Sequence, residues 1–383
     1  MPPREIPLTD LVLGDEEINA VAEVLRSGWL TSGARTRAFE ERFAELTGAA
    51  HAYAVSSCTA ALHLVFAGLD LGPGDEVICP DLTFVATANA VRYTGAEPVL
   101  AAPLSRTDLT LDPADVAARI TPNTRGICLM HYGGYACDLD AFEELAREHG
   151  LWIVEDCAHA PLGHGRLAGS RKPLGRFGVA GCFSLFGTKN VSTGEGGLVI
   201  TDDPELGERI DRMRTHGVTV PTYDRHRKPI FGYSVQDLGF NYRFDDLRAA
   251  VGICQLDRLE TINAQRRALV DGYRDALGQI AGIEVPFSDR CLEDSAAHRM
   301  TVQVPYPDTV RAVLRERGIQ TSKHYDPVSS FATYGGRPDG PAAAAARDLV
   351  TLPLGPHMTG ADVEHVAVEL KQTLAALARR NAA

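Results

Sequence analysis

The sequence GCFSLFGTKNVSTGEGGLVI, residues 181–200, carries the pattern that decides the fold. Two apolar runs typical of buried strands, residues 182–186 and 198–201, flank a connector rich in Gly, Ser and Thr. A single lysine, Lys189, lies in that connector. A lone lysine in a loop is usually a solvated charge, so its significance depends on the residues that the fold brings to it.

Upstream of this stretch, apolar runs alternate with helical patterns. Strands are predicted at 52–55, 76–79, 98–101, 126–130 and 152–155, with helices between them. Val, Ile, Leu and Cys fill these strands without alternating with polar residues, which is typical of a parallel sheet buried on both faces. The sequence therefore predicts an α/β fold with a mostly parallel central sheet flanked by helices. Ligands of such sheets bind at the carboxyl ends of the strands.

The last third of the chain has a different pattern. A long helix is predicted from about residue 245 to residue 277, followed by short strands at 283–287 and 300–304 and a final helix at 360–379. This pattern indicates a smaller C-terminal α+β domain. We expect a large domain at 1–260, including an N-terminal helical segment, and a small domain at 261–383.

Composition excludes several classes of partner. With 383 residues and a net charge of −12, the chain has the wrong sign of field for nucleic acid or an anionic membrane surface. Its 8 cysteines are scattered without a CxxC pair, which favours reduced thiols over a disulfide framework or a metal site. No apolar run approaches the ~18 residues of a membrane span, and no signal peptide is recognisable, so we expect a cytoplasmic protein.

Small hydroxylated residues mark a second candidate site. Ser57, Cys58 and Thr59 follow one predicted strand and precede a helix predicted at 60–69. The first turn of a helix offers free backbone N–H groups and the positive end of the helix dipole, which together bind phosphate. Serine and threonine also cap helices where no ligand binds, and this motif alone fits both interpretations.

Three signals of this kind fit one cofactor. The phosphate-type motif at 57–59 is joined by Asp156 at the end of a predicted strand and by Lys189 in its loop. Pyridoxal phosphate (PLP) needs an anion site for its phosphate, a carboxylate for its pyridinium nitrogen and an amine for its aldehyde. The glycines around Lys189 are expected to let the backbone pass close beneath a flat ring.

Seven motifs along the chain form a specific combination. They are SSCTAALH (56–63), GPGDEVI (72–78), LTFVATANA (82–90), EDCAH (155–159), FSLFGTKN (183–190), GEGG (194–197) and LGFNYR (238–243). With these motifs the chain resembles the DegT/DnrJ/EryC1/StrS family of PLP-dependent sugar aminotransferases, of the fold-type I superfamily. The resemblance extends from about residue 6 to the final helix.

The resemblance implies a role for each matching residue. Lys189 is the expected Schiff-base lysine and Asp156 the expected partner of the pyridinium nitrogen, and these two are the expected catalytic residues. The other implied cofactor contacts are Phe84, which stacks on the ring, His159, which packs beside it, and the phosphate ligands Ser57, Cys58, Thr59, Ser184 and Asn241. Asn241 would reach the phosphate from the neighbouring subunit, which implies a homodimer with shared active sites.

The same resemblance implies the reaction. An amino acid, expected to be L-glutamate, donates its amino group and leaves the pyridoxamine phosphate (PMP) form, which aminates a keto-sugar, usually nucleotide-linked, or a keto-cyclitol. Such reactions serve amino-sugar or antibiotic biosynthesis. Arg243 and the basic run 225–228, which begins with Arg225, are candidate acceptor contacts, although such a run is also typical of a solvated surface.

Near the C-terminus the chain departs from the family pattern. Ser329 stands where relatives commonly have a histidine, which leaves the acceptor open. His324 and Tyr325 are candidate substitutes in substrate binding, and surface placement of both is an equal alternative.

Two further functions deserve comparison. A PLP-dependent sugar dehydratase resembles these aminotransferases but has a histidine in place of the lysine, so Lys189 argues against it. A non-catalytic, PLP-binding regulator is the other alternative. The intact set of Lys189, Asp156, His159 and Ser184 argues against a loss of catalysis.

Overall fold

The computed structural model describes residues 5–227, 232–337 and 339–381. Its strands are β1 (His51–Val55), β2 (Glu76–Pro80), β3 (Glu97–Ala101), β4 (Thr124–Met130), β5 (Trp152–Asp156), β6 (His164–Leu167), β7 (Ser170–Pro173), β8 (Ala180–Ser184), β9 (Gly197–Thr201), β10 (Met300–Gln303) and β11 (Leu349–Leu352). Its helices are α1 (Asp15–Ser27), α2 (Ala34–Thr47), α3 (Cys58–Gly68), α4 (Ala86–Tyr93), α5 (Pro113–Ala117), α6 (Leu139–His149), α7 (Pro204–Met213), α8 (Thr222–Arg227), α9 (Asp246–Leu277), α10 (Pro307–Glu316), α11 (Pro341–Ala346) and α12 (Gly360–Asn381).

Seven strands form the central sheet in the order β1-β9-β8-β5-β4-β2-β3. From β8 to β3 every neighbouring pair is parallel, whereas β9 pairs antiparallel with both β8 and β1. Helices cover both faces, because the strands are apolar on both sides. The predicted α/β fold with a mostly parallel sheet is confirmed.

Some local predictions were wrong. Helix α3 begins at Cys58, two residues earlier than predicted. The sequence also predicts a helix from Thr83 to Tyr93, whereas α4 begins at Ala86, so Phe84 lies in the turn before that helix. The expected strand at 283–287 is absent from this described segment, where only Glu284 bridges Gln303. The polar connector at 217–237 contains the short helix α8. Short elements depend on tertiary contacts that periodicity does not record.

Helix α9 joins two hydrophobic cores. Its residues up to Leu259 pack into the core beneath the main sheet, and those from Leu269 onward pack against β10, β11 and α12. The helix crosses residue 260 without a break. The boundary between a large domain at 1–260 and a small one at 261–383 therefore stays a prediction.

A buried carboxylate ties the middle of the sheet together. Glu155 in β5 is fully buried and accepts hydrogen bonds from the N–H groups of Gly175 (2.8 Å), Phe177 (2.7 Å) and Gly178 (2.9 Å). His131 donates to it from Nε2 at 3.0 Å, because Nδ1 already accepts from a backbone N–H. These bonds fix the segment that leads into β8 against the end of β5.

None of the helices in the described part of the chain combines the length and the apolar composition needed to cross a bilayer.

Candidate active site

A pocket of about 420 Å³ opens at the carboxyl ends of β5 and β8. Ten of the residues singled out from the sequence line it: Ser57, Cys58, Thr59, Phe84, Asp156, His159, Ser184, Lys189, His324 and Tyr325. They come from the turn before α3, the turn before α4, the end of the sheet and the C-terminal part of the chain. The fold therefore brings together side chains that lie more than 250 positions apart in sequence.

Asp156 is the last residue of β5 and is buried. One carboxylate oxygen accepts from the Thr87 hydroxyl at 2.7 Å, and the other accepts from the Ala158 N–H at 3.0 Å. Burial raises the pKa of Asp156, while these two hydrogen bonds and the charge of Lys189 oppose that shift. A buried carboxylate held in this way favours a cationic partner, because a nearby positive charge stabilises its ionised form.

Lys189 lies in the loop between β8 and β9, where its backbone N–H donates to the carbonyl of Phe186 at 2.9 Å. Its side chain enters the pocket. Burial, and then the charge of Arg299, lower the pKa of its amine to about 7. Among the described residues none forms an ion pair with this amine. Near neutral pH a large share of Lys189 is therefore neutral, which is the form that attacks an aldehyde.

The turn before α3 serves two purposes. Ser57 caps the helix, because its hydroxyl accepts from the Ala60 N–H at 3.1 Å. Cys58 and Thr59 form the first turn of this 11-residue helix, and both line the pocket. From the sequence alone, capping and anion binding were alternative interpretations of this motif. In the structure Ser57 caps α3, and the dipole of the same helix N-terminus favours a phosphate in the pocket.

A glycine brings this turn close to the sheet. A Cβ placed on Gly197, the first residue of β9, would lie 2.5 Å from the carbonyl of Ser57 and 2.6 Å from the N atom of Cys58. A Cβ placed on Gly187, two residues before the lysine, would meet its nearest atom, the carbonyl oxygen of Gly194, at 4.0 Å. Gly197 therefore serves a contact between two backbones that positions the start of α3, and the passage of the glycines beneath a ring stays a prediction.

A tyrosine and two histidines form the other wall. His159 accepts from the Gly133 N–H at Nδ1 (3.3 Å), so its Nε2 donates to the Tyr325 hydroxyl (2.8 Å). Burial and the neighbouring cations lower the pKa of His159 well below its ordinary value. His324 bonds Thr351 at 2.9 Å, and burial lowers its pKa to about 3. Both imidazoles are therefore neutral near pH 7.

Three predicted contacts lie elsewhere in the chain. Arg243 lines a separate cavity of about 640 Å³, and Asn241 bridges Thr215 in a short antiparallel pairing. The guanidinium of Arg225 stacks over Tyr233 at 4.5 Å. Lys228, the last residue of the basic run, lies outside the described residues. Within one chain these side chains do not line the pocket of Lys189.

Sequence reasoning missed Thr87 and Arg299. Thr87 has no signal of its own, because a threonine in a helix is common and its contact with Asp156 depends on the fold. Arg299 had a weak signal, since it is a charged residue at the edge of the apolar run that becomes β10. Both line the pocket.

The model of the DegT/DnrJ/EryC1/StrS aminotransferase family matches residues 12–371. The chain belongs to this family. It is 37% identical over 381 residues to the spore coat polysaccharide biosynthesis protein SpsC of Bacillus subtilis (strain 168), a match that covers 95% of each chain. The family assignment makes the protein an aminotransferase that uses PLP.

Solved structures agree with this assignment. DesV from S. venezuelae is 36% identical, with a TM-score of 0.88 over 97% of this chain and 98% of that chain. Spr1654 from Streptococcus pneumoniae is 25% identical and has been solved in PLP and PMP forms. Its PLP form has a TM-score of 0.87 over 97% of this chain and 98% of that chain.

The pocket of this aminotransferase fits PLP. Asp156 is a buried carboxylate that suits the pyridinium nitrogen, Lys189 is an amine without an ion-pair partner among the described residues, and the N-terminus of α3 suits the phosphate. Phe84 exposes 58% of its surface at the pocket, as expected of an aromatic ring that stacks on a flat ligand. The individual cofactor contacts stay predictions, including those of the two expected catalytic residues: Lys189, Asp156, Phe84, Ser57, Cys58, Thr59, Ser184, His159 and Asn241.

We expect Gly197→Ala to weaken PLP binding by roughly 10-fold and to lower the free energy of unfolding by about 1–3 kcal/mol, because the new methyl group must displace the start of α3. Gly72→Ala is the matched control, since a Cβ there meets no atom within 4 Å. PLP titration and urea denaturation measure the two effects. Equal behaviour of the two variants would contradict the proposed contact.

Proposed function

We propose that this aminotransferase moves the amino group of L-glutamate to a keto-sugar that is carried on a nucleotide, in the biosynthesis of an amino sugar. The observation that carries the proposal is that the buried amine of Lys189, whose pKa burial lowers, and the buried carboxylate of Asp156 line one pocket of a sugar aminotransferase fold. The name of the relative SpsC, a polysaccharide biosynthesis protein, supports a sugar acceptor, because polysaccharides are assembled from activated sugars.

Each residue then has a distinct task. When bound, PLP supplies a ring that withdraws electrons from the carbon whose bond to hydrogen breaks. Asp156 stabilises the proton on the ring nitrogen through its negative charge. In the reaction of the donor, the neutral Nζ of Lys189 accepts the proton from the α-carbon and then returns a proton. In the reaction of the sugar, the same two proton transfers occur in the reverse order. His159 stays neutral and keeps Tyr325 oriented.

Replacement of Lys189 by alanine should lower the turnover number by roughly 10³-fold or more, because the variant lacks the base that moves the proton. Lys172→Ala, in the exposed β6-β7 hairpin, is the control. Turnover is followed as 2-oxoglutarate formed from L-glutamate, with keto-sugar nucleotides and keto-cyclitols as alternative acceptors.

Retained turnover in the Lys189→Ala variant would contradict the assignment of the base. Amination of keto-cyclitols alone would contradict the proposed acceptor. Failure of the wild-type protein to consume L-glutamate with any acceptor, while another amino acid reacts, would contradict the proposed donor.

We also propose that the active protein is a homodimer in which Asn241 enters the partner's pocket. The support is an apolar surface just before this residue: Leu238 exposes 88% of its surface, and Tyr233 and Val235 expose more than half of theirs. Large exposed apolar patches of this kind are typical of subunit interfaces. Arg243 follows two residues later and would enter the interface with Asn241.

A mixing experiment tests this shared site. Lys189→Ala and Asn241→Asp variants should each be inactive, and their refolded mixture should recover about a quarter of the wild-type activity, because half of the dimers are hybrids with one intact site of two. Refolding each variant alone is the control. If Asn241 served its own chain, every site in a hybrid would carry one defect, and no activity would return.

A further inference from the structure

An arginine that the roles above leave unused, Arg299, lines the same pocket as Lys189. It stands immediately before β10, so a strand of the C-terminal part of the chain fixes its backbone. The preceding residue, His298, donates its N–H to the carbonyl of Gly133 at 2.9 Å, which ties this position to the main domain. The backbone at Arg299 is therefore tied to β10 on one side and to Gly133 on the other.

The charge of Arg299 is not neutralised. No ion pair found within residues 5–227, 232–337 and 339–381 includes it. Its Nε is buried without a hydrogen-bond partner, and its interaction within the pocket is with the Tyr325 hydroxyl. By contrast, the buried Arg214 pairs with both Glu40 and Asp211.

Such an arrangement has an energetic consequence. A guanidinium stays protonated in proteins, and burying one without a carboxylate is costly. An anionic group of a bound ligand would stabilise this buried guanidinium. The planar guanidinium can donate two parallel hydrogen bonds to the two oxygen atoms of a carboxylate or a phosphate.

The position of Arg299 indicates which anionic group of the reactants it can bind. The start of α3 suits the cofactor phosphate, so that anion has its own site. Arg299 and Lys189 line the same pocket, and the charge of Arg299 lowers the pKa of the Lys189 amine, so the guanidinium lies near the reacting amine. In an amino acid the α-carboxylate is attached to the same carbon as the amino group, whereas in a nucleotide-linked sugar the ring separates the reacting carbon from the diphosphate.

We propose that Arg299 binds the α-carboxylate of the amino-acid donor. The proposal rests on the proposed function and adds a residue that selects amino acids over simple amines. Tyr325 is a positioning residue for this contact, because its hydroxyl is held by His159 at 2.8 Å and lies against the guanidinium.

Kinetics of three variants test the role of Arg299. Arg299→Gln should raise the KM for L-glutamate roughly 10- to 100-fold and leave the acceptor KM within about 3-fold, because a lost charge-assisted contact affects only the donor. Arg299→Lys keeps the positive charge but loses the paired N–H donors of the guanidinium. Its KM for the donor should therefore lie between those of the wild type and Arg299→Gln. Arg315→Gln, on the exposed face of α10, is the matched control.

Thermal unfolding accompanies the kinetics. Because Arg299 lacks a carboxylate partner, its removal should leave the melting temperature of the holoenzyme unchanged or higher. Should Arg299→Gln fail to fold, the Arg299→Lys variant alone decides the matter, and a donor KM equal to that of the wild type would overturn the proposal.

Other outcomes separate this inference from the proposed function. A donor KM for Arg299→Gln within about 3-fold of the wild type, or an acceptor KM that rises as much as the donor KM, overturns the role of Arg299 while the aminotransferase stands. If the wild-type protein processes no amino acid, the proposed function fails. In that case calorimetric binding of glutarate to the wild-type and Arg299→Gln holoenzymes still tests the site, and equal affinities overturn it.

Discussion

The buried carboxylate of Glu155 is the constraint on which the active site depends. It accepts three backbone N–H groups from the segment that precedes β8 and a fourth hydrogen bond from His131. Asp156 is the next residue along β5, and the lysine loop is the next segment after β8. Because one carboxylate fixes β5 and the entry to β8 together, the strand that ends at Asp156 and the strand that leads into the loop of Lys189 are held side by side.

Burial then sets the chemistry of the pocket. The same desolvation raises the pKa of Asp156 and lowers the pKa of Lys189, so each group is moved toward its neutral form. Two neutralising partners are expected from ligands: a pyridinium for Asp156 and a carboxylate for Arg299. An anion bound by Arg299 and a cation bound by Asp156 would each offset the cost of burying these charged groups.

The sequence predicted the fold and the presence of Asp156 and Lys189 in one site because these depend on local patterns, and the structure places both residues in one pocket. Apolar strands without polar alternation indicated a parallel sheet, and Asp156 followed directly from the end of a strand. Glu155, Thr87 and Arg299 could not be predicted in the same way. Their roles come from contacts with residues far away in sequence, such as the Thr87–Asp156 hydrogen bond across 69 positions. Phe84 was recognised by resemblance, although its place in a turn rather than a helix was not.

Lys189 is proposed to carry the cofactor on an amine whose pKa is lowered to about 7. The direct test is to add PLP to the apoprotein at a series of pH values, reduce each sample with borohydride and map the pyridoxyl group by mass spectrometry. We expect the label on Lys189 alone, with a rate that is half-maximal near pH 7. A label on another lysine, or a rate that is half-maximal near the ~10.4 of an ordinary lysine, would contradict it.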